Sequence, residues 1–216
     1  MSDTLNRTGW RFDARNGMTT RNPRPELPSS VGVTEALDLP VDELRRALAT
    51  HEAGHVLVML HSGIPFKHVF IRNDLGLVPD PDQVGSGGAV VISPCSTPLR
   101  TGLMMLAAGE RAQDRWLRET GRWTTRRGWL TELGAINDRR EIYRAVDEAF
   151  GRDVTFGTSD DPCRDLAALH DHTDALLDTL WGHVARLAEA LDRRGRLTGG
   201  QAAEAAGFSP KAGWQR

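Results

Sequence analysis

The chain has 216 residues, 39% of them hydrophobic, with 27 basic side chains against 29 acidic ones and two cysteines. That length suits one domain, and the near-balanced charge argues against nucleic acid or an anionic membrane as the main partner. Two cysteines cannot form a disulfide framework, the longest apolar run (Leu103-Met104-Met105-Leu106-Ala107-Ala108) is far short of the roughly 20 residues that cross a bilayer, and no secretory signal opens the chain, so a cytoplasmic protein is expected.

Residues 1–37 carry Arg7, Arg11, Arg15, Arg21 and Arg24 among Asn, Thr, Gly and Pro, with no helical or strand period. They are expected to form a flexible arm ahead of a single domain over 38–207, with 208–216 frayed. Order begins at Asp38-Leu39-Pro40, where Asp42 and Glu43 suit the positive end of a helix. Leu44, Leu48, His51, His55 and Val58 recur at helical spacing until His61-Ser62-Gly63-Ile64-Pro65 stops that helix. Lys67-His68-Val69-Phe70-Ile71-Arg72 and Gly88-Ala89-Val90-Val91-Ile92 read as two strands joined by the turn-rich stretch 73–87. Ser96-Thr97-Pro98 opens a helix running to about Arg118, followed by a polar stretch holding Trp123 and Trp129. A helix from Asn137 to Phe150 ends at Gly151, and a long one spans about 165–193, burying Leu166, Leu169, Leu176, Leu177, Leu180, Val184, Leu187 and Leu191. Thr198 caps a last short helix over 201–206. The fold class is therefore mainly α with a small β hairpin or sheet.

The string that carries chemistry is His51-Glu52-Ala53-Gly54-His55. Two histidines four apart project from one helix face a turn apart, so both imidazoles can reach one metal, and imidazole nitrogen suits Zn²⁺. Glu52, turned away from the direct ligands, is placed to take a proton from a water that zinc has acidified to a pKa of about 7. A chance match to this spacing is expected in about one chain in a hundred of this composition. Gly54 costs about 1 kcal/mol relative to alanine inside a helix, which a close approach of another element would explain. A catalytic zinc needs a third protein ligand. His61, His68, His170, His172, His183 and several carboxylates are all open by spacing, although His170 and His172, two apart on a helix, point in different directions.

Thr50-His51-Glu52-Ala53-Gly54-His55-Val56-Leu57-Val58 closely resembles the zinc helix of the FtsH-type, ATP-dependent membrane proteases. The resemblance continues in order. Pro65-Phe66-Lys67-His68-Val69-Phe70-Ile71-Arg72 looks like the strand after that helix. Leu106-Ala107-Ala108-Gly109-Glu110-Arg111-Ala112-Gln113-Asp114 is similar to the family's Gly-Gly-Arg-Ala-Ala-Glu-Glu helix. Gly134-Ala135-Ile136-Asn137-Asp138 resembles its Gly-Ala-Ser-Asn-Asp segment, and residues 181–191 resemble its closing helix. The resemblance covers about residues 40–206. It implies a helical, zincin-like peptidase domain with Asp138 as the third zinc ligand, a role that suits an aspartate in the first turn of a helix. It implies a zinc metalloendopeptidase acting on polypeptides, with His51, His55 and Asp138 as ligands and Glu52 as general base.

The departures are specific. Family members carry two membrane spans and an ATPase module; this chain has neither, and Gly85-Ser86-Gly87-Gly88 lacks the lysine of a phosphate loop. Its expected substrates are unfolded or flexible polypeptides, unless a separate unfoldase or regulatory partner assists. The family's rings leave an oligomer open. Glu110 and Gln113 stand where the family pattern has an arginine and a glutamate, while Asp114 keeps a carboxylate that could orient a ligand histidine or face solvent beside Arg111 or Arg118. The alternation of arginine and tryptophan over 115–129 could stack single-stranded nucleic acid, but a rim beside the cleft or a solvated loop fits the balanced charge better. Cys95 and Cys163 read as small buried or half-buried side chains. An open strand edge, at 69–72 or 90–92, would align an extended substrate. The alternative to an enzyme is a catalytically silent zinc fold that regulates a partner protein by binding.

Overall fold

Helix α2 (Val41–Ser62) forms the centre of the structure, a computed structural model that describes residues 9–26, 33–71, 88–92 and 96–209. Asp42 and Glu43 occupy its first turn, and Gly63, at φ 74°, ends it by turning its own N–H and that of Ile64 back to the Leu60 and Met59 carbonyls. Every residue from Glu52 to Leu60 is buried. A helix apolar on all sides belongs inside a core. The polar Glu52 and His55 in that stretch therefore need partners of their own.

The remaining elements surround α2. Ahead of it come β1 (Arg11–Asp13), β2 (Met18–Thr20) and α1 (Val33–Ala36); after it come β3 (Phe66–Ile71), β4 (Gly88–Ile92), α3 (Leu99–Glu119), α4 (Thr125–Gly134), α5 (Ile136–Phe150), α6 (Leu166–Arg194), β5 (Arg196–Thr198) and α7 (Gly199–Ala206). One apolar cluster joins α2 to the sheet, α6 and α7 through Leu57, Phe66, Val69, Val184, Leu187 and Leu191. A second, around Trp129 and Leu130, joins α2 to α4, and a third joins α3, α5 and the start of α6 through Leu103, Ile142 and Leu166. Among the described residues no helix is long and apolar enough to cross a membrane.

The mainly helical class with a small antiparallel sheet is what the sequence leads one to expect, and the differences are instructive. β3 pairs with β4 as expected, with an irregularity between Phe66 and His68, but its other edge is taken by β5, so the sheet order is β4-β3-β5. β5 is three residues long, too short to show a period. The polar stretch before Asn137 contains α4, whose cap is Thr124, accepting from the Arg127 N–H at 3.1 Å, and whose Trp129 is 1% exposed. Part of the expected arm is regular: β1 and β2 pair antiparallel, and Trp10 and Met18 are buried. Those strands are anchored by single large side chains rather than by alternation, which is why no pattern announces them. Phe208 packs on the core at the start of the segment expected to fray. Residues 1–8, the 73–87 turn, Cys95 and 210–216 lie outside the described residues. Cys163 is half-buried and free.

Candidate metal centre

On α2, one turn separates His51 from His55, and their Nε2 atoms face each other at 3.1 Å. The outer nitrogens are both engaged. His55 Nδ1 lies 2.7 Å from the Met105 carbonyl and donates to it; His51 Nδ1 lies 3.1 Å from Gln113 Oε1. An Nδ1–H given to an oxygen leaves the lone pair on Nε2, the state a metal ligand needs.

Glycines make the close approach between α2 and α3 possible. A Cβ on Gly54 would lie 2.8 Å from the Ala108 carbonyl carbon and 2.8 Å from Ala112 Cβ, so α3 crosses directly over Gly54. A Cβ on Gly109 would stand 2.6 Å from His51 Nε2 and closer still to His55 Nε2. Gly109 is thus the floor of the space into which the two imidazoles point.

Asp138 enters from α5, in its first turn. Its Oδ2 is 3.5 Å from His51 Nε2 and 3.6 Å from His55 Nε2. With the 3.1 Å between the nitrogens, these separations can be tested against a metal. A tetrahedral zinc with ligands at about 2.0–2.1 Å sets neighbouring donors about 3.3–3.4 Å apart. The circle through three atoms spaced 3.1, 3.5 and 3.6 Å has a radius of about 2.0 Å, so one point lies at zinc distance from all three. The donor set fits that ion. Asp138 is 26% exposed on its side chain, so the centre is open on one side. No other such group of three or more His, Cys, Asp or Glu occurs among the described residues.

The electrostatics agree with a site that concentrates charge. Burial alone would pull His55 down, but the charge and hydrogen bond of Asp138, with Glu52 and the Met105 carbonyl, hold it up at about 9, so a metal that takes Nε2 displaces a proton from it near neutral pH. Burial opposes ionisation of Asp138 too, yet His55 and His51 keep its carboxyl well below the usual range. Glu52 behaves oppositely. Burial pushes its carboxyl up, and Asp138 adds to that, while His51 and His55 offset only part. A Cβ on Gly88 would lie 2.8 Å from Glu52 Oε1, so the carboxyl rests against the start of β4. A buried carboxyl with a raised pKa beside a metal position is suited to holding and passing on a proton.

The other candidate histidines stand elsewhere. His61 is exposed at the end of α2, and His68 lies on β3 beside Phe70. His172 and His183 bond the carbonyls of Ala168 and Ala206. His170 is buried beside Trp10; neither of its nitrogens has a hydrogen-bond partner, and Nε2 lies 3.9 Å from Glu110 Oε1. Asp114 orients no histidine: it is buried, accepting from Arg118 and, at 2.9 Å, from Trp123 Nε1. Gln113 fills the role for which Asp114 was a candidate. The tryptophans of 115–129 are also engaged within the chain, with Arg118 over Trp123 and Arg122 over Trp116, and Arg122 bonded to Glu43. A cavity of about 230 Å³, lined by residues such as Arg21, Glu110, Arg111 and Glu132, includes none of the three donor residues.

Sequence reasoning missed the Met105 carbonyl, the role of Gly109 and the buried Arg139, whose Nε and Nη2 donate to Glu110 at 2.6 and 2.7 Å. An arginine beside Asp138, with a glutamate following a glycine inside a helix, was the available signal. No family model matches the chain, and no curated protein matches it.

Proposed function

We propose that this chain is a zinc-dependent metalloendopeptidase of the FtsH type, cytoplasmic, acting on unfolded or flexible polypeptides, alone or beside a separate unfoldase. The observation that carries this reading is the spacing of the His51, His55 and Asp138 donor atoms, which matches a tetrahedral zinc. Bound zinc would supply Lewis acidity, polarising a peptide carbonyl and acidifying a water. The chain's own residues do the rest. Met105 and Gln113 hold the imidazoles in the ligating tautomer. Glu52, its carboxyl raised by burial, takes the proton from the attacking water and returns it to the amine as the amide C–N bond breaks. β3 is paired on both sides, and among the described residues no strand pairs with the outer edge of β4. β4 begins beside Glu52, where an extended substrate could add as a further antiparallel strand.

Digestion of casein, a disordered protein, tests the reading. Activity should vanish with a zinc chelator and return with zinc. Glu52→Gln should lower the rate by about 10²–10⁴-fold while zinc stays bound. Zinc bound at one per chain with no turnover of any unfolded protein would favour the silent, partner-binding alternative, and full activity in Glu52→Gln would remove that residue's role.

A further inference from the structure

Burying an arginine and a glutamate together is commonly no more stabilising than burying an apolar pair of the same size. The Arg139–Glu110 pair is nonetheless almost sealed, at 1% and 3% exposure. Its position in the chain suggests why. Glu110 follows Gly109, the floor beneath the two imidazoles, and Arg139 follows Asp138. The two-pronged bond from Arg139 Nε and Nη2 to Glu110 therefore fixes α3 against α5 one residue from where each helix meets the three donor atoms.

The third prong leaves the pair. Arg139 Nη1 donates to the Thr19 carbonyl of β2 at 2.6 Å. On the same side Glu132 of α4, 3.9 Å from Arg139 Nη2, accepts from the Arg21 N–H at 3.1 Å and from Asn22 Nδ2 at 3.0 Å. Trp10 is buried with its ring 5.9 Å from the Arg139 guanidinium. Trp10 and residues 19–22 thus close over the ion pair and take up donors and an acceptor that would otherwise be buried without partners.

We infer that the N-terminal strand pair is a working part of the metal centre: it anchors Arg139, and Arg139 with Glu110 sets where Asp138 stands, so metal affinity depends on residues 9–26 being seated. This rests on His51, His55 and Asp138 being the metal ligands. Arg139 is a positioning residue, acting through the placement of its neighbour.

The test is zinc affinity of the full-length chain, by competition with a fluorescent chelator, with the visible spectrum of the Co²⁺ form reporting tetrahedral geometry. The double variant Glu110→Leu/Arg139→Met replaces the ions by apolar groups of similar size, which keeps the fold and removes the fork. Its zinc affinity should fall about 10–100-fold, with a weakened Co²⁺ band, and its metal-free melting temperature should drop only by what the unpaired Thr19 carbonyl costs. Arg139→Lys, which keeps the charge without the fork, should fall between. Asn22→Ala, which loosens the segment alone, should weaken zinc about threefold or more. Wild-type affinity in the double variant and in Asn22→Ala overturns the inference; if the double variant does not fold, wild-type affinity in Arg139→Lys and Asn22→Ala overturns it equally. Failure of the unaltered chain to bind zinc is a different result, overturning the metal centre itself and this inference with it.

Discussion

The two sides of the candidate centre are built by different physics. His51 and His55 stand on a helix buried all round, against a neighbour brought so close that Gly54 and Gly109 leave no room for one more carbon. Asp138 stands on a helix whose start is held by a buried ion pair roofed by the N-terminal strands. The histidine side should fail on added volume, since packed interiors yield little. The aspartate side should accept a change of volume and respond to charge. Substitutions that separate volume from charge can break this contrast.

The largest effect is expected at Gly109. Alanine there puts a Cβ 2.6 Å from His51 Nε2, so one imidazole must leave, and zinc affinity should drop by more than the about 100-fold that losing an outer contact can cost. Chelator competition on the folded variant checks this, and wild-type affinity would mean the floor is softer than close packing allows. Gly54→Ala meets backbone rather than a ligand. Helix propensity favours the change by about 1 kcal/mol, but the overlap with Ala108 should dominate, for a net loss of about 1–3 kcal/mol. A lower urea midpoint at unchanged slope would show it.

The same division explains what could be read from the sequence. The spacing of His51 and His55, the odd glycine between them, and the stop at Gly63 are local consequences of helical geometry, and they appear as expected in α2. The approach of α3 over Gly54 was legible as a need before its source was visible. Asp138 lies 83 residues beyond His55, and no local rule connects them; a resemblance in the order of short segments pointed to it, while spacing left five histidines and several carboxylates open. Arg139 and Glu110 are marked in the sequence only by their places next to Asp138 and Gly109, because a buried pair otherwise looks like two ordinary surface charges on two helices. β1, β2 and β5, three residues each, carry too little pattern for any period to show. Trp129 stands in a stretch that reads as a loop, because only Trp129, Leu130 and Leu133 of α4 are large apolar residues and its other buried positions are Gly128, Thr131 and Glu132.

A smaller effect distinguishes neighbours on α3. Gln113→Ala removes the acceptor of His51 Nδ1 and should weaken zinc about tenfold. Asp114→Asn disturbs Arg118 and Trp123, none of which is a donor residue of the centre, so it should alter thermal stability and leave zinc affinity unchanged. Equal losses in both would mean that α3 moves as one body.

The smallest expected effect probes charge on the aspartate side by pH. Burial, aided by the charge of Glu110, outweighs Arg139 and raises Glu132 from the usual 4.5 to about 7. The folded chain then keeps a proton between those values that the unfolded chain has released, so this contribution to stability is full below pH 4.5 and is lost as pH rises through 7. Its size is on the order of 1–3 kcal/mol. Glu110 has no share in that window: burial opposes its ionisation, but Arg139 holds it low, so its contribution disappears only in stronger acid. His170, kept neutral by burial, slopes the other way below 6.5, because the unfolded chain takes up the proton it refuses. The difference between the unaltered chain and Glu132→Gln cancels His170 and isolates the carboxyl. Denaturant titrations from pH 4.5 to 8 should show the variant gaining on the unaltered chain as pH rises. Parallel curves would mean that Arg139 neutralises Glu132 fully, so that the aspartate side holds its charge without the cost that burial is expected to impose.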